Sequence, residues 1–346
     1  MKPEVSIIIP ILNERDHIEK CVESVINSTK NISDMELFLI DGGSTDGTLD
    51  ILSTLSSKYN FIKVLHNEKK MIGAGINIGI NHSKGDYIVR LDAHAIFPDG
   101  YIEVLLKAIK NADRDIVNIG GALTTLPSEN DIIAKSIAIA LSSRIGVGNS
   151  PFRVAEIEEP KFVETVPFGI YRKEVFKDLG LFNENVPRSE DLELSQRIIN
   201  SGNRIMMIPE ITATYYSRAD ISSFLRQQFD NGRSVTKEHK GIVSFYKLRH
   251  VVPLLFVSYV LLLGLLQSYF YFDIINPLNF IASLPLLIYL FSVITAGFFY
   301  AVTQLKLIYI LSIPFILGCL HVSYGLGSLY GILQIIFPRL PTKSVR

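Results

Sequence analysis

The chain has 346 residues, with Lys+Arg and Asp+Glu both at 34. That balance offers no basic surface for nucleic acid, so no nucleic-acid partner is expected. The charges are unevenly spread: from Val251 onward the only acid is Asp273 and the only bases are Lys306, Arg339, Lys343 and Arg346. Mean hydropathy is +0.29, and the C-terminal third supplies the excess. The two cysteines, Cys21 and Cys319, sit in no metal or redox spacing, which predicts free thiols. "VSIIIPIL" is too short for a signal-peptide core, so residues 1–250 are expected to stay in the cytosol.

Val5–Ile9 is a wholly apolar, β-branched run, the mark of a strand buried on both faces of a parallel sheet. A helical pattern covers His17–Ile26, and Leu37–Ile40 is the next strand, ending at Asp41. Thr48–Leu55 reads as a helix, Phe61–Leu65 as a strand and Gly73–Ile80 as a helix. Tyr87–Leu91 is the fourth strand and Tyr101–Ile109 the helix after it. Such alternation predicts a doubly wound α/β sheet, whose ligands bind beyond the carboxyl ends of the strands. There the punctuation is polar: "PILNE", "DGGSTDG" and "DAH". Residues 131–150 look less regular, and "RIGVGNSPFR" (Arg144–Arg153) looks like a glycine-hinged loop. Phe162–Phe168 reads as a strand, Ser189–Ser201 as a helix, Arg204–Ile208 as a strand and Ile221–Thr236 as a helix with basic and apolar faces. No internal repeat or low-complexity tract is present.

Three uncharged or nearly uncharged runs follow: Val251–Phe272, Leu278–Val302 and Leu307–Phe337. Each is long enough to cross about 30 Å of hydrocarbon. The third contains His321 and several glycines, and reads either as one long tilted span or as a span plus a re-entrant piece. Lys247, Arg249 and His250 precede the first run, so the positive-inside rule keeps the N-terminal part in the cytosol. The basic tail Arg339–Arg346 favours the same side, whereas an odd number of spans puts it opposite. The predicted organisation is a cytosolic domain over 1–240, a basic juxtamembrane segment over 241–250, a membrane region over 251–338 and a tail over 339–346.

Asp92 and His94 stand two apart, so at a strand end both side chains project to one side. A carboxylate and a neutral imidazole there can hold a divalent cation completed by a diphosphate. The plainer reading, a turn-capping Asp with a packed His, has equal weight from spacing alone. Asp41 opens "DGGSTDGT"; it either caps that turn or accepts a base N–H from a nucleotide, and the two are compatible. Asn13 and Glu14 in "PILNE" are N-caps or nucleotide contacts. "GAGINIG" (Gly73–Gly79, with Asn77) allows either close backbone approach to a sugar or phosphate or tight helix packing, the latter slightly favoured. "RSEDLELSQR" opens a helix that Ser189 can cap, and Glu190, Asp191 and Glu193 suit its positive end. One of those carboxylates could instead take a proton from an acceptor hydroxyl. "FLRQQFDNGR" offers Arg226, Gln228 and Arg233 to a diphosphate, or forms a basic helix on the membrane surface.

In this order these motifs resemble the family 2 inverting glycosyltransferases of GT-A fold, most closely the membrane-anchored glucosyltransferase type of succinoglycan biosynthesis. "SSRIGVGNSPFR" (Ser142–Arg153) and "VPFGIYRKEVF" (Val166–Phe176) strengthen the likeness, which covers essentially the whole chain. The resemblance implies that Pro10, Asn13, Glu14 and Asp41 line the nucleotide pocket, with Gly73, Asn77 and Asp92 on the same side. Asp92 and His94 stand where the family has its D-x-D metal motif. Asp191 would be the catalytic base and Glu190 its neighbour. Arg226, Gln228 and Arg233 would face the diphosphate or acceptor. His94 replaces the second Asp of the commoner motif, which favours Mn²⁺ over Mg²⁺ because imidazole is the softer ligand. Ile76 stands where many relatives carry an Arg. With no Trp the chain lacks the Q-x-x-R-W motif of processive members, so single sugar addition is expected. The implied function is transfer of one sugar from a nucleotide sugar, a UDP-hexose, to a polyprenyl-diphosphate-linked saccharide at the plasma (inner) membrane, in exopolysaccharide synthesis. The alternatives are a sugar nucleotidyltransferase, a polyprenyl-phosphate sugar synthase, and a membrane scaffold with a degenerate nucleotide domain.

Overall fold

The computed structural model describes residues 2–32, 34–154, 158–186, 188–238, 248–269 and 277–340. The chain packs as two compact units: Met1–Thr124 with Pro151–Tyr216, and Thr125–Ser150 with Ser217–Arg346. The expected boundary at residue 240 lies outside the described residues, as do Lys247, Asp273, Lys343 and Arg346.

The first unit begins with β1 (Val5–Ile11), α1 (Ile18–Asn27), β2 (Met35–Asp41), α2 (Thr48–Lys58), β3 (Ile62–His66), α3 (Ile72–His82) and β4 (Tyr87–Arg90). Strands β3, β2, β1 and β4 lie parallel in that order. β1, β2 and β4 are buried almost along their length, which is why their runs are mostly apolar rather than alternating, whereas β3 at the edge carries the exposed Lys63 and His66. Val5, Ile7 and Ile9 point to one side, where Ile18, Val22 and Val25 of α1 pack. Ile8 points to the other, against Ile76 and Ile80 of α3. On α1 the buried Ile18, Cys21, Val22 and Val25 follow the helical period that makes one apolar stripe.

Next come β5 (Ala95–Ile96), α4 (Tyr101–Asn111) and β6 (Ile116–Pro127), then α5 (Ile132–Ser142) and α6 (Arg144–Val147). They are followed by α7 (Pro151–Val154), β7 (Lys161–Phe162), β8 (Ile170–Arg172), α8 (Glu174–Asp178), α9 (Glu190–Asn200) and β9 (Arg204–Ser217). The sheet continues β4-β8-β6-β9-β5, with antiparallel pairing at β4–β8, β6–β8 and β5–β9, and β7 pairs β9. The fold is therefore mixed α/β, parallel on one side only. Three sequence expectations change. Only Phe162 of Phe162–Phe168 is in a strand, β9 runs on to Ser217, and part of the irregular-looking 131–150 is the regular helix α5, apolar and capped by Asp131, whose side chain accepts from the amides of Ile133 and Ala134.

The second unit contains α5, α6, α10 (Ile221–Glu238), α11 (Leu248–Tyr269), α12 (Pro277–Thr303) and α13 (Tyr309–Ile336). Arg249–Leu266, Asn279–Thr303 and Tyr309–Ile336 are long and apolar enough to cross a membrane. The third run is one continuous 28-residue helix, so the re-entrant alternative falls. Leu265, Phe291 and Leu311 stand 68%, 73% and 72% exposed, an apolar surface suited to lipid rather than water. Helix α10 does not form a free surface helix but packs along α13 at close range. A Cβ on Gly327 would come within 2.0 Å of the Phe229 carbonyl oxygen, and one on Gly232 within 2.0 Å of that of Tyr324. Such small-residue seams let helix backbones touch.

Candidate active site

The parallel strands end together at Ile11, Asp41 and Arg90. β1 and β4 stay paired only as far as Ile8 and Arg90. Beyond that point Pro10 has no amide hydrogen to extend the ladder toward β4. The crevice between them is the point where strand order reverses, the usual ligand position in such sheets.

The β1 and β2 loops are laced together along one wall. Asp41 is 1% exposed and its carboxylate accepts from the Gly43 amide at 2.7 Å, the Ser44 amide at 3.1 Å and Ser44 Oγ at 2.6 Å. Gly43, at φ +84°, makes that turn feasible. Ser44 Oγ accepts from the Asn13 amide at 2.9 Å, and Asn13 Oδ1 accepts from the Thr45 amide at 2.8 Å. Asn13 itself adopts φ +55°, a conformation Asn tolerates better than most side chains. Asp41 thus builds the turn, the plainer of its two sequence readings, while Asn13 caps no helix and instead ties the β1 loop to Ser44 and Thr45.

The glycine-rich segment belongs to packing. A Cβ on Gly79 would come within 2.6 Å of Ile8, and one on Gly73 within 3.1 Å of the Asn183 carbonyl oxygen. Asn77 is 3% exposed; its Nδ2 donates to Phe182 O and Glu184 Oε1, both at 2.9 Å, and its Oδ1 accepts from the Phe182 amide at 2.9 Å. Gly73 and Asn77, expected on the nucleotide side, hold the 182–184 loop against α3.

On the other wall, Cys21 Sγ donates to the Asp92 carbonyl at 3.4 Å and helps fix the turn after β4. His94 Nδ1 lies 2.9 Å from Glu14 Oε1. Burial pulls the imidazole's pKa down, but the Glu14 carboxylate outweighs it, with help from Tyr215 and Asp92, and lifts it to about 9. The Tyr215 ring meets His94 edge-on at 5.3 Å, and the Arg153 guanidinium lies 5.4 Å from the Tyr215 ring centroid. Glu14 is therefore the orienting partner of His94. Arg153, at the end of "GNSPFR", and Tyr215 were not singled out from sequence, where each reads as an ordinary loop or strand residue.

Arg90 joins the two halves of the crevice. Its Nη2 lies 3.1 Å from Asp92 Oδ1 and 3.0 Å from Glu190 Oε1. Burial works against the guanidinium's charge, but Asp92, Glu190 and Asp191 outweigh it and hold it firmly protonated. Burial, with Asp191 and Asp92 nearby, raises the Glu190 carboxyl above its ordinary range in spite of Arg90. Asp92 and the first turn of α9, a hundred residues apart, thus share one guanidinium. Asp191 is partly exposed, and its Oδ1 accepts from the Leu192 amide at 2.8 Å. Ser189 does not cap α9 as expected: it sits at φ +65° with no side-chain bond to the helix end.

Among the described residues no group of three His, Cys, Asp or Glu side chains could hold a metal ion. Asp92 and His94 fit a divalent cation only as two protein ligands, the rest coming from a diphosphate. Nδ1 of His94 is taken by Glu14, leaving Nε2 for the ion, the usual arrangement in which a carboxylate orients a metal-binding His. Arg226, Gln228 and Arg233 belong to the second unit. Arg226 is exposed, Gln228 and Arg233 are 5% and 3% exposed, and Arg233 Nη2 lies 3.3 Å from Asp230 Oδ1.

Known proteins share the family and fold of this chain. The model of the family described as "Glycosyl transferase family 2" matches residues 6–180. A dolichyl N-acetyl-alpha-D-glucosaminyl phosphate 3-beta-D-2,3-diacetamido-2,3-dideoxy-beta-D-glucuronosyltransferase of Methanococcus voltae is 29% identical over 319 residues, 85% of this chain and 96% of that one. The succinoglycan biosynthesis protein ExoA of Rhizobium meliloti is 31% identical over 250 residues, 72% of this chain and 74% of that one. Among solved structures, the mannosyltransferase PcManGT from Pyrobaculum calidifontis, in complex with GDP-Man and Mn²⁺, superposes with a TM-score of 0.58 at 15% identity, covering 96% of this chain and 88% of that one. The fold is of the GT-A type, and the chain belongs to glycosyl transferase family 2, an enzyme that transfers glycosyl groups.

Proposed function

We propose that the chain transfers a single sugar from a nucleotide sugar, a UDP-hexose, to a polyprenyl-diphosphate-linked saccharide during cell-surface polysaccharide synthesis. The observation that carries this reading is the shared Arg90 contact, 3.1 Å to Asp92 and 3.0 Å to Glu190, which brings a donor-side carboxylate and the acidic helix end to one gap. The names of the two relatives, one a dolichyl-linked sugar transferase and one a succinoglycan protein, support a lipid-linked acceptor. The three apolar helices support a multi-pass membrane protein, and the bases at Arg249 and His250 support a cytosolic catalytic unit.

In this reading Asp191 takes the proton of the acceptor hydroxyl as that oxygen attacks the anomeric carbon. One displacement inverts the anomeric configuration. Asp191 suits the base role better than Glu190, because Glu190 is buried against Arg90 while Asp191 keeps an exposed edge. The β1 and β2 loops, fixed by Asp41, Asn13 and Ser44, form the nucleotide wall at Pro10 and Glu14. Asp92 and His94 would hold a divalent cation, Mn²⁺ favoured over Mg²⁺ by the imidazole, which supplies positive charge beside the departing diphosphate. Arg226, Gln228 and Arg233 are proposed for the acceptor or diphosphate. Most of the rate gain then comes from placement and fixed charge.

The test is a screen of radiolabelled nucleotide sugars against membranes carrying the full chain, with and without chelator, scoring label in the lipid extract. Asp191→Asn should keep donor binding and lose transfer. A variant with near-normal turnover refutes the base assignment, and no binding of any nucleotide sugar favours the scaffold alternative.

A further inference from the structure

Arg90 stands in the middle of an apolar strand end and is 9% exposed. Burying a guanidinium with two carboxylates gives little net stability, because desolvation offsets the attraction. Its Nε–H is buried without an acceptor among the described residues, a further cost. Stability alone therefore does not explain an arginine here.

Position does. The Arg90 backbone is held by the sheet: its amide donates to Gly169 O at 3.2 Å, and the Leu91 amide donates to Ile8 O at 3.0 Å. The guanidinium is then a strut of fixed length from the sheet to α9. At its far end the entry to α9 is strained, with Ser189 at φ +65° and its hydroxyl not bonded to the helix. The helix end is thus located by the Glu190–Arg90 contact and not by a serine cap. Glu190 and Asp191 are consecutive in the same turn, so fixing one fixes the other.

We propose that Arg90 is a positioning residue for sugar transfer: it sets the gap between the Asp92 turn and the Asp191 carboxylate without touching substrate. This rests on the proposed roles of Asp92 and Asp191. It also carries a consequence that a merely structural residue would not have. Arg90 places a cation 3.1 Å from Asp92 Oδ1, so it competes with any ion that Asp92 binds. Removing it should leave ion binding intact or tighter while transfer collapses.

The experiment uses the full chain in detergent and compares Arg90→Met, Arg90→Lys and the double variant Arg90→Met/Glu190→Gln, with Asp191→Asn in parallel. The double variant removes both buried charges and so controls for misfolding. Binding of Mn²⁺ with UDP is measured by calorimetry, independently of turnover. Arg90→Met and the double variant should lower kcat by about 100-fold, the scale for a reacting group misplaced by about 1 Å. Donor KM should stay near the wild-type value, and Mn²⁺–UDP binding should be equal or tighter. Arg90→Lys keeps the charge and should recover part of kcat. A wild-type kcat in Arg90→Met overturns the proposal, and so does loss of Mn²⁺–UDP binding in the double variant. If Asp191→Asn is inactive while Arg90→Met is not, only the strut fails; if Asp191→Asn is active, the underlying reading fails.

Discussion

The Glu14–His94 pair makes a quantitative demand on ion binding. The imidazole pKa stands at about 9 against an ordinary 6.5. At pH 7 it therefore lies about two units below its titration point, and an ion must displace a proton from nearly every molecule. At 1.36 kcal/mol per unit this costs about 3 kcal/mol, or roughly 100-fold in affinity. Affinity for Mn²⁺ in the presence of UDP should rise about tenfold per pH unit from pH 7 toward 9. Calorimetry in buffers of different ionisation enthalpy should report about one proton released per ion bound. Glu14→Gln removes the anion that lifts the imidazole, so binding should tighten at pH 7. At pH 8.5 it should weaken, because the ligand loses its charged orienting partner. In the chelated protein the same pair contributes stability in full below pH 6.5 and loses it as pH rises through about 9. A flat affinity between pH 7 and 8.5, with no proton release, would show that His94 Nε2 does not bind the ion and that Asp92 binds it without the imidazole.

Two further predictions concern the supports of the site. Asn77→Ala leaves Phe182 without its partners and should cost about 1–3 kcal/mol in thermal unfolding with little change in donor KM; a large rise in KM would restore Asn77 to the nucleotide wall. Ser189→Gly relieves the left-handed backbone at the α9 entry and should stabilise by about 1 kcal/mol, read as a higher midpoint of unfolding; an unchanged or lower midpoint would mean the serine hydroxyl has a role not visible at the helix end.

The first half of the catalytic unit was legible in the sequence because its strands are buried on both faces and its site residues sit at strand ends. Val5–Ile9, Leu37–Ile40 and Tyr87–Leu91 announce themselves by composition, and the Asp and His after them stand where parallel sheets present ligands. β6 was not legible. "IVNIGGALTTLP" breaks its apolar run with Gly120 and Gly121, and a Cβ on Gly121 would come within 2.3 Å of the Ile211 carbonyl oxygen of β9. Pairing to a strand about ninety residues later decides that segment, and no local pattern records it. Arg90 was passed over for a similar reason: between Val89 and Leu91 it looks like an interruption until Glu190 is placed beside it. "GAGINIG" was legible only as close approach, with packing slightly favoured, since glycine density does not say what approaches. In "FLRQQFDNGR" the polar residues suggest a wet helix, yet Gln228, Asp230 and Arg233 are buried.

The seam between α10 and α13 has an evolutionary corollary. Where the partner of a glycine is another chain segment's carbonyl oxygen, as at Gly232, Gly327 and Gly331, no trimming of a neighbour can make room for a larger residue. Pairs of compensating substitutions, the ordinary way helices exchange bulk for bulk, are closed off there. Drift in this half of the molecule should accumulate on the outward faces of α11 and α12, while the seam changes only by rebuilding both helices at once.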